Sequence, residues 1–233
     1  MKRFYTDVAV ASRGDGFAVL LDGRPIRTQG GGVDQIVPSE ALAQRLAKEW
    51  AEQGETIEPA RFVARDLADH AIDTVSPDPA KTVEMLLAYA DTDTLCYRAE
   101  PDEPFWHRQQ AVWEPLVAEM ERREGVRMER VSGIIHRPLK PDTLDRLRAR
   151  LTVLDPFQLA ALETVTGLAA SLCIGLAALE SEADGDALWD ASNLEEDWQA
   201  ERWGEDAEAA ERRAHRRDAF LAAMDFANAA RSA

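Results

Sequence analysis

The pattern of apolar and polar positions changes period along the chain. Near the start the period is two. Val8 and Val10 alternate with alanines, and Phe17, Val19 and Leu21 alternate again, which predicts β-strands. Asp22-Gly23 follows at once, then Arg24-Pro25-Ile26, and an Asp-Gly step after an alternating run predicts a hairpin. Gly30, Gly31 and Gly32 predict a loop. No Lys-Ser or Lys-Thr follows them, so they are not a phosphate cradle. Gln35-Ile36-Val37 is expected to form a last short strand.

From Pro38-Ser39 the period becomes helical. Ser39 is suited to cap a helix running through Gln53, with Gly54 as its stop, and Leu42, Ala43, Leu46, Ala47 and Trp50 fall on one face. Trp50 on such a stripe reads as core. A second helix is expected from Asp66 to Val75, with Leu67, Ala68, Ala71, Ile72 and Val75 inward. Ser76-Pro77-Asp78-Pro79 then breaks the chain, which places a domain boundary there. The expected organisation is a β-rich N-terminal domain with one or two helices (residues 1–77) and an α-helical bundle (residues 78–233), an α+β fold.

Beyond the break everything reads helical. Asp78-Pro79 opens a helix through Val83, Leu86, Leu87 and Ala90. Glu103-Pro104 opens another through Phe105, Gln109, Val112, Trp113 and Leu116, which Pro115 should kink or end. Val131 to Ile135 is a short apolar run of undecided type. Leu144, Leu147 and Leu151 mark a further helix. Leu159 to Leu179 then carries a single charge, Glu163, after a capping Asp155-Pro156. A helix apolar all round must be surrounded, so this stretch reads as the central helix of the bundle. Gly167, Ser171 and Gly175 give it a smooth stripe where another helix could come close. A membrane span needs ~20 apolar residues, more than follow Glu163 here. Asp186 to Ala230 is long, helical and charged, and Gly204 should divide it.

Charge narrows the partners. Lys and Arg number 27 against 43 Asp and Glu, a net −16, which argues against nucleic acid or anionic lipid as the main partner. The two cysteines, Cys96 and Cys173, are too few for a disulfide framework or a cysteine zinc site, and suit a reducing compartment. The N-terminal MKRFYTDV lacks the apolar core of a secretory signal. His70, His107, His136 and His215 are scattered without metal-ligand spacing, so neither metal nor cofactor is expected.

Two stretches bear on chemistry. Asp91-Thr92-Asp93-Thr94-Leu95 matches the D-x-D-x-T signature of haloacid-dehalogenase-type phosphatases, in which the first aspartate attacks phosphorus and the second is the acid/base. That chemistry needs a loop after a buried parallel strand, whereas Val83 to Ala90 follow a helical period; the alternative is that both aspartates cap a turn between helices. The second stretch is Asp186 to Gly204. On one continuous helix, Ala187, Ala191, Leu194 and Trp198 form a docking stripe. Trp189, Ser192, Glu196, Gln199 and Trp203 form another stripe on nearly the opposite side. Two tryptophans framing a carboxylate and an amide read either as a recognition face or as a helix packed on both sides.

Several runs, in order across nearly the whole chain, resemble the ATP12 family of F1-ATPase assembly chaperones. They are Lys2-Arg3-Phe4-Tyr5, Leu21-Asp22-Gly23-Arg24-Pro25, Glu49-Trp50 with Gln53, Ala71-Ile72-Asp73, Tyr89-Ala90 with Thr92-Asp93, Cys96-Tyr97-Arg98, Gln109 with Trp113 and Pro115, and Glu195-Glu196 with Gln199, Trp203 and Gly204. Glu195-Glu196 stands where the family usually has Asp-Glu, and Phe62-Val63-Ala64-Arg65 where it usually has Met-Pro-Leu-Thr. The resemblance implies a chaperone without enzymatic activity that binds the F1 α subunit before it meets β. It implies the same fold, and a bacterial member working in the cytoplasm, its eukaryotic relatives being mitochondrial. Client binding is then expected at Glu196, Trp189, Gln199 and Trp203. A phosphatase using Asp91 and Asp93, or a chaperone or adaptor for another client, are the alternatives.

Overall fold

The computed structural model describes residues 1–133, 135–204 and 206–231. The fold is α+β, and the chain divides into two compact units. The first comprises residues 1–79, 155–161 and 222 onward; the second comprises 80–154 and 162–221. The first unit is therefore discontinuous in sequence, whereas the residues 1–77 expected above are one uninterrupted segment.

In the first unit, strands β1 (Val8–Arg13) and β2 (Gly16–Leu21) pair antiparallel from Val8↔Leu21 to Arg13↔Gly16. Asp22 and Gly23 both take positive φ, 47° and 78°, as a two-residue type I′ turn demands, and deliver β3 (Arg24–Pro25) back onto β2. The Asp22 carboxylate accepts the N–H groups of Thr6 and Asp7, which hold its pKa below the ordinary value. Strand β4 (Ile36–Val37) pairs with the other end of β2, so β2 is central and its Ala18, Val19 and Leu21 are buried.

Helix α1 (Glu40–Ala51) lies on this sheet, capped by Ser39, whose hydroxyl accepts the Leu42 N–H. Its buried face is the expected one: Leu42, Ala43, Leu46, Ala47 and Trp50. It ends at Ala51 with Glu52 as its C-cap, short of Gln53-Gly54. The indole of Trp50 meets Tyr5 edge-on at 5.5 Å and Phe62 at 4.5 Å. Next to it, Glu49 reaches across to accept the N–H groups of Ala64 and Arg65 at 2.7 and 3.0 Å. It thus caps α2 (Val63–His70), which has no side-chain cap of its own. The helix continues as a π-turn, Ala71–Val75, from which the Asp73 carboxylate accepts the N–H groups of Gly30 and Gly31. A Cβ on either glycine would fall within 3 Å of that carboxylate, so the glycine loop cradles the protein's own Asp73.

In the second unit, α3 (Pro79–Asp91) leads to a 3₁₀ turn, Thr94–Cys96, and to β5 (Tyr97–Arg98), parallel to β6 (Val131–Ser132). The Val131–Ile135 run thus holds a two-residue strand; its Ile134 lies outside the described residues. Helix α4 (Pro104–Glu124) continues past Pro115 rather than ending before it. Trp113 and Val117, buried on either side of the proline, hold the helix against the ~3 kcal/mol such an interruption costs. Helix α5 (Pro141–Thr152) buries Leu147 and Leu151.

The Leu159–Leu179 stretch is two helices, not one: α6 (Pro156–Ala169) and α7 (Leu172–Ala178). Ala170 adopts φ 49°, and Ser171 caps α7 by accepting the Ile174 N–H. Asp93 and Thr94 dock in the break. Asp93 accepts from the Ser171 hydroxyl at 2.8 Å and the Cys173 N–H at 2.9 Å, and Thr94 donates through N–H and hydroxyl to the Ala170 carbonyl. Gly175 of α7 packs on α6 so tightly that a Cβ would overlap Thr166 and Leu162. The close approach at this small residue is therefore between the two halves of the broken helix.

Candidate functional site

Helices α8 (Gly185–Ser192), α9 (Leu194–Trp203) and α10 (Ala207–Ala230) follow. Asp184 caps α8 by accepting the Ala187 N–H. The expected single helix from Asp186 is interrupted at Asn193, which leaves the helical region at φ −105°, ψ 15°. Its buried amide donates to the Trp189 carbonyl and the Ser192 hydroxyl, both at 2.8 Å, and the Trp113 indole N–H takes the Ala191 carbonyl at 2.7 Å. These contacts satisfy the carbonyls of the last turn of α8, so the helix can stop there.

The interruption separates the two tryptophans of the expected stripe. Trp189 is 1% exposed, with its ring edge-on to Phe220 and Arg216 over its face. It is a core residue and is not displayed to a client, which corrects its expected place on the recognition face. Trp203 is 77% exposed. The docking stripe also shifts: Leu188, Ala191 and Leu194 are buried, and Ala187 is exposed. Trp198 stacks on Phe105 at 5.4 Å between Arg108 and Arg202.

The outward face of α9 gathers Glu196, Gln199 and Trp203, all exposed. Glu195, Glu196 and Asp197 occupy its first turn, where the partial positive charge of a helix N-terminus favours carboxylates. Asp197 is engaged by Arg213, Glu201 by Arg108 at 2.6 Å, and Glu195 by the Gln199 amide at 3.4 Å. Among the described residues Glu196 makes no ion pair. It stands with Gln199 on the ridge between two hollows and lines both. One, of about 300 Å³, is walled by Trp203, Ala200, Ala210 and Arg213. The other, of about 330 Å³, is walled by Thr94, Leu168, Ser192 and Arg216. Such a ridge can insert an unpaired carboxylate, an amide and an indole into a partner's surface. Reading the sequence located the ridge but missed the hollows, which are built by Thr94, Leu168 and α10, residues far from α9 in the chain.

Asp91 and Asp93 do not form a reactive pair. Asp91 ends α3, where it accepts the Leu139 N–H at 2.7 Å and pairs with His136 at 3.1 Å. Asp93 is completely buried, and desolvation pushes its pKa up to about 6 against the pull of four donors. Asp93 caps the 3₁₀ turn by accepting the Leu95 N–H, as the alternative reading had it, whereas Asp91 instead ties the Leu139 loop to the end of α3. Cys96 and Cys173 are free, buried thiols with pKa values raised by desolvation. No helix among the described residues is long and apolar enough to cross a membrane, and no group of three or more His, Cys, Asp or Glu among them is placed to hold a metal ion.

Comparison with known proteins gives a consistent result. Residues 2–121 match the model of the family described as ATP12 chaperone protein. The chain is 26% identical over 215 residues to the mitochondrial protein atp12 of Schizosaccharomyces pombe, covering 87% of this chain and 74% of that one. The crystal structure of Atp12 from Paracoccus denitrificans superposes with a TM-score of 0.93 at 36% identity, covering 99% of this chain and 98% of that one, and a mutant of the same protein superposes equally well. A protein of Agrobacterium tumefaciens superposes with a TM-score of 0.94 at 37% identity, over 99% of this chain and 86% of that one.

Proposed function

Because this chain belongs to the ATP12 chaperone family, we propose that it serves F1-ATPase assembly by binding the free α subunit and shielding the surface that β will later cover. The observation that carries this reading is the ridge on α9: an unpaired Glu196, Gln199 beside it, and an indole at Trp203 left 77% exposed. Glu196 would meet a basic group at the client's rim and help set specificity, while Trp203, a residue type enriched at interface hot spots, covers apolar surface. The role is binding, without a catalytic step. The second aspartate of the D-x-D-x-T run, which a phosphatase would use for proton transfer, is sealed in the core. We assign the protein to the compartment in which F1 is built, the bacterial cytoplasm.

Charge reversal at Glu196 tests this reading. Truncating one partner of a desolvated pair can cost ~2–5 kcal/mol of binding, so Glu196→Lys should leave circular dichroism and melting unchanged yet fail to keep isolated α subunit from scattering light. A variant that melts much earlier would make Glu196 part of the scaffold and send the client site elsewhere. Pull-down with the wild-type chain should return F1 α as the dominant partner; a different dominant protein would favour another client.

A further inference from the structure

The first unit holds a cavity of about 570 Å³ that the reading above leaves unused. Its floor is apolar and aromatic: Tyr5, Leu21, Ile26 and Trp50, each less than a tenth exposed. Phe4 stands at its edge, 62% exposed and edge-on to Tyr5 at 5.3 Å. Arg24, Arg27 and Arg65 line it against one carboxylate, Asp22, which is already accepting the N–H groups of Thr6 and Asp7. In a chain of net charge −16, this wall is cationic. Two of the arginines are incompletely engaged: Arg27 reaches Asp34 at 3.7 Å, and Arg24 is exposed without an ion pair among the described residues. Arg65 is held in place behind them, over the Trp50 and Phe62 rings and between Asp66 at 3.8 Å and Asp69 at 3.6 Å, with its side chain 12% exposed. Two N–H donors in the wall residues, Trp50 Nε1 and Arg65 Nε, have no acceptor among the described residues. The local surplus is of donors and positive charge over an apolar floor.

We infer that this cavity binds an acidic peptide segment that inserts an aromatic or leucine side chain, with its neighbouring carboxylates on Arg24 and Arg27. The volume exceeds what one side chain fills and suits a side chain with its flanking backbone. Arg24 and Arg27 are three residues apart on extended chain, roughly 10 Å, a span that successive carboxylates on an extended peptide cover and one small carboxylate does not. The site is independent of the α9 ridge: it asks for negative charge in its ligand, where Glu196 asks for positive.

Fluorescence anisotropy of the full chain tests this with a short fluorescein-labelled peptide carrying one phenylalanine between aspartates, and with its counterpart carrying lysines. The aspartate peptide should bind and weaken with added salt; the lysine peptide should not bind. Arg24→Glu combined with Arg27→Gln, both surface changes, should weaken binding by at least about tenfold with circular dichroism unchanged. Glu196→Lys should leave this binding intact, so loss of client protection in that variant and failure of the peptide site are separate outcomes. Equal binding of both peptides, or unchanged binding by the arginine variant, overturns the inference. So does N-acetylphenylalanine competing as well as the peptide, which would make the cavity a small-molecule site.

Discussion

Asp93 offers the sharpest test of the structural argument. It is wholly enclosed and accepts from the Leu95 N–H at 3.0 Å, the Ser171 hydroxyl at 2.8 Å and the Cys173 N–H at 2.9 Å. Desolvation outweighs these donors and raises its pKa to about 6, whereas in the unfolded chain it titrates near ~3.9. A carboxyl whose folded pKa is raised contributes stability that is fully present below the unfolded pKa and lost as pH rises through the folded one. Working from these two values, ionising Asp93 should remove about 2 kcal/mol of stability between about pH 4.5 and about pH 7.5. Other groups titrate over this range, so the quantity to measure is the difference in urea-unfolding free energy between wild type and Asp93→Asn at each pH. The variant's amide cannot ionise and, like the protonated carboxyl it replaces in acid, presents one acceptor and one donor group, so it serves as a pH-independent reference. The stability of the wild type relative to the variant should therefore fall by about 2 kcal/mol from the lower to the higher pH. A difference that stays constant, or grows with pH, would show that Asp93 is not held in a desolvating site and would refute this account of the break between α6 and α7.

Trp50→Arg should act through folding: it removes an indole packed on Tyr5 and Phe62 and places a charge beside Arg65, a loss of at least ~3–5 kcal/mol read as low soluble yield. A soluble variant with an unchanged melting temperature would contradict the packing. Ala170→Gly should stabilise by about 0.5–1 kcal/mol, because Ala170 is exposed and pays for its φ of 49° with no packing in return; a fall in melting temperature would refute the strain. Trp189→Ser should cost ~3–5 kcal/mol of stability while Trp203→Ser changes melting little and weakens client protection. Similar losses of stability from both would mean that Trp203 is packed.

The segments whose pattern is set by neighbours in sequence were legible. Alternation in β2, the Asp-Gly turn with both residues at positive φ, the Ser39 cap and the buried face of α1 all follow from local periodicity and turn chemistry. What was not legible is capping from a distance. Leu159–Leu179 reads as one helix because nothing in it forbids continuation; what splits it is Asp93 and Thr94, which supply acceptor and donors to Ser171, Cys173 and Ala170 from far away in the chain. The same holds for Glu49 capping α2 and for Asp73 held by the Gly30–Gly31 N–H groups. Several of these residues lie in runs that carried the family resemblance, Thr92-Asp93, Glu49-Trp50 and Ala71-Ile72-Asp73, yet a motif alone does not say whether its carboxylate meets a substrate or a backbone N–H.

The α9 ridge shows how an interrupted helix could build the proposed binding surface. On one unbroken helix, Trp189 and Trp203 share a face and must be buried or displayed together. A non-helical Asn193, fixed by its own amide and by Trp113, resets the rotation between the two. Trp189 then fills the core against Phe220 while Trp203 stands in solvent. Burying an aromatic ring of ~150–250 Å² is worth roughly 4–6 kcal/mol at ~25 cal/mol per Å². Most of that gain is not realised within this chain at Trp203. It is available to a partner that covers the indole, and Gln199 and Glu196, one and two turns back along the same helix, would set the polar chemistry that partner must match.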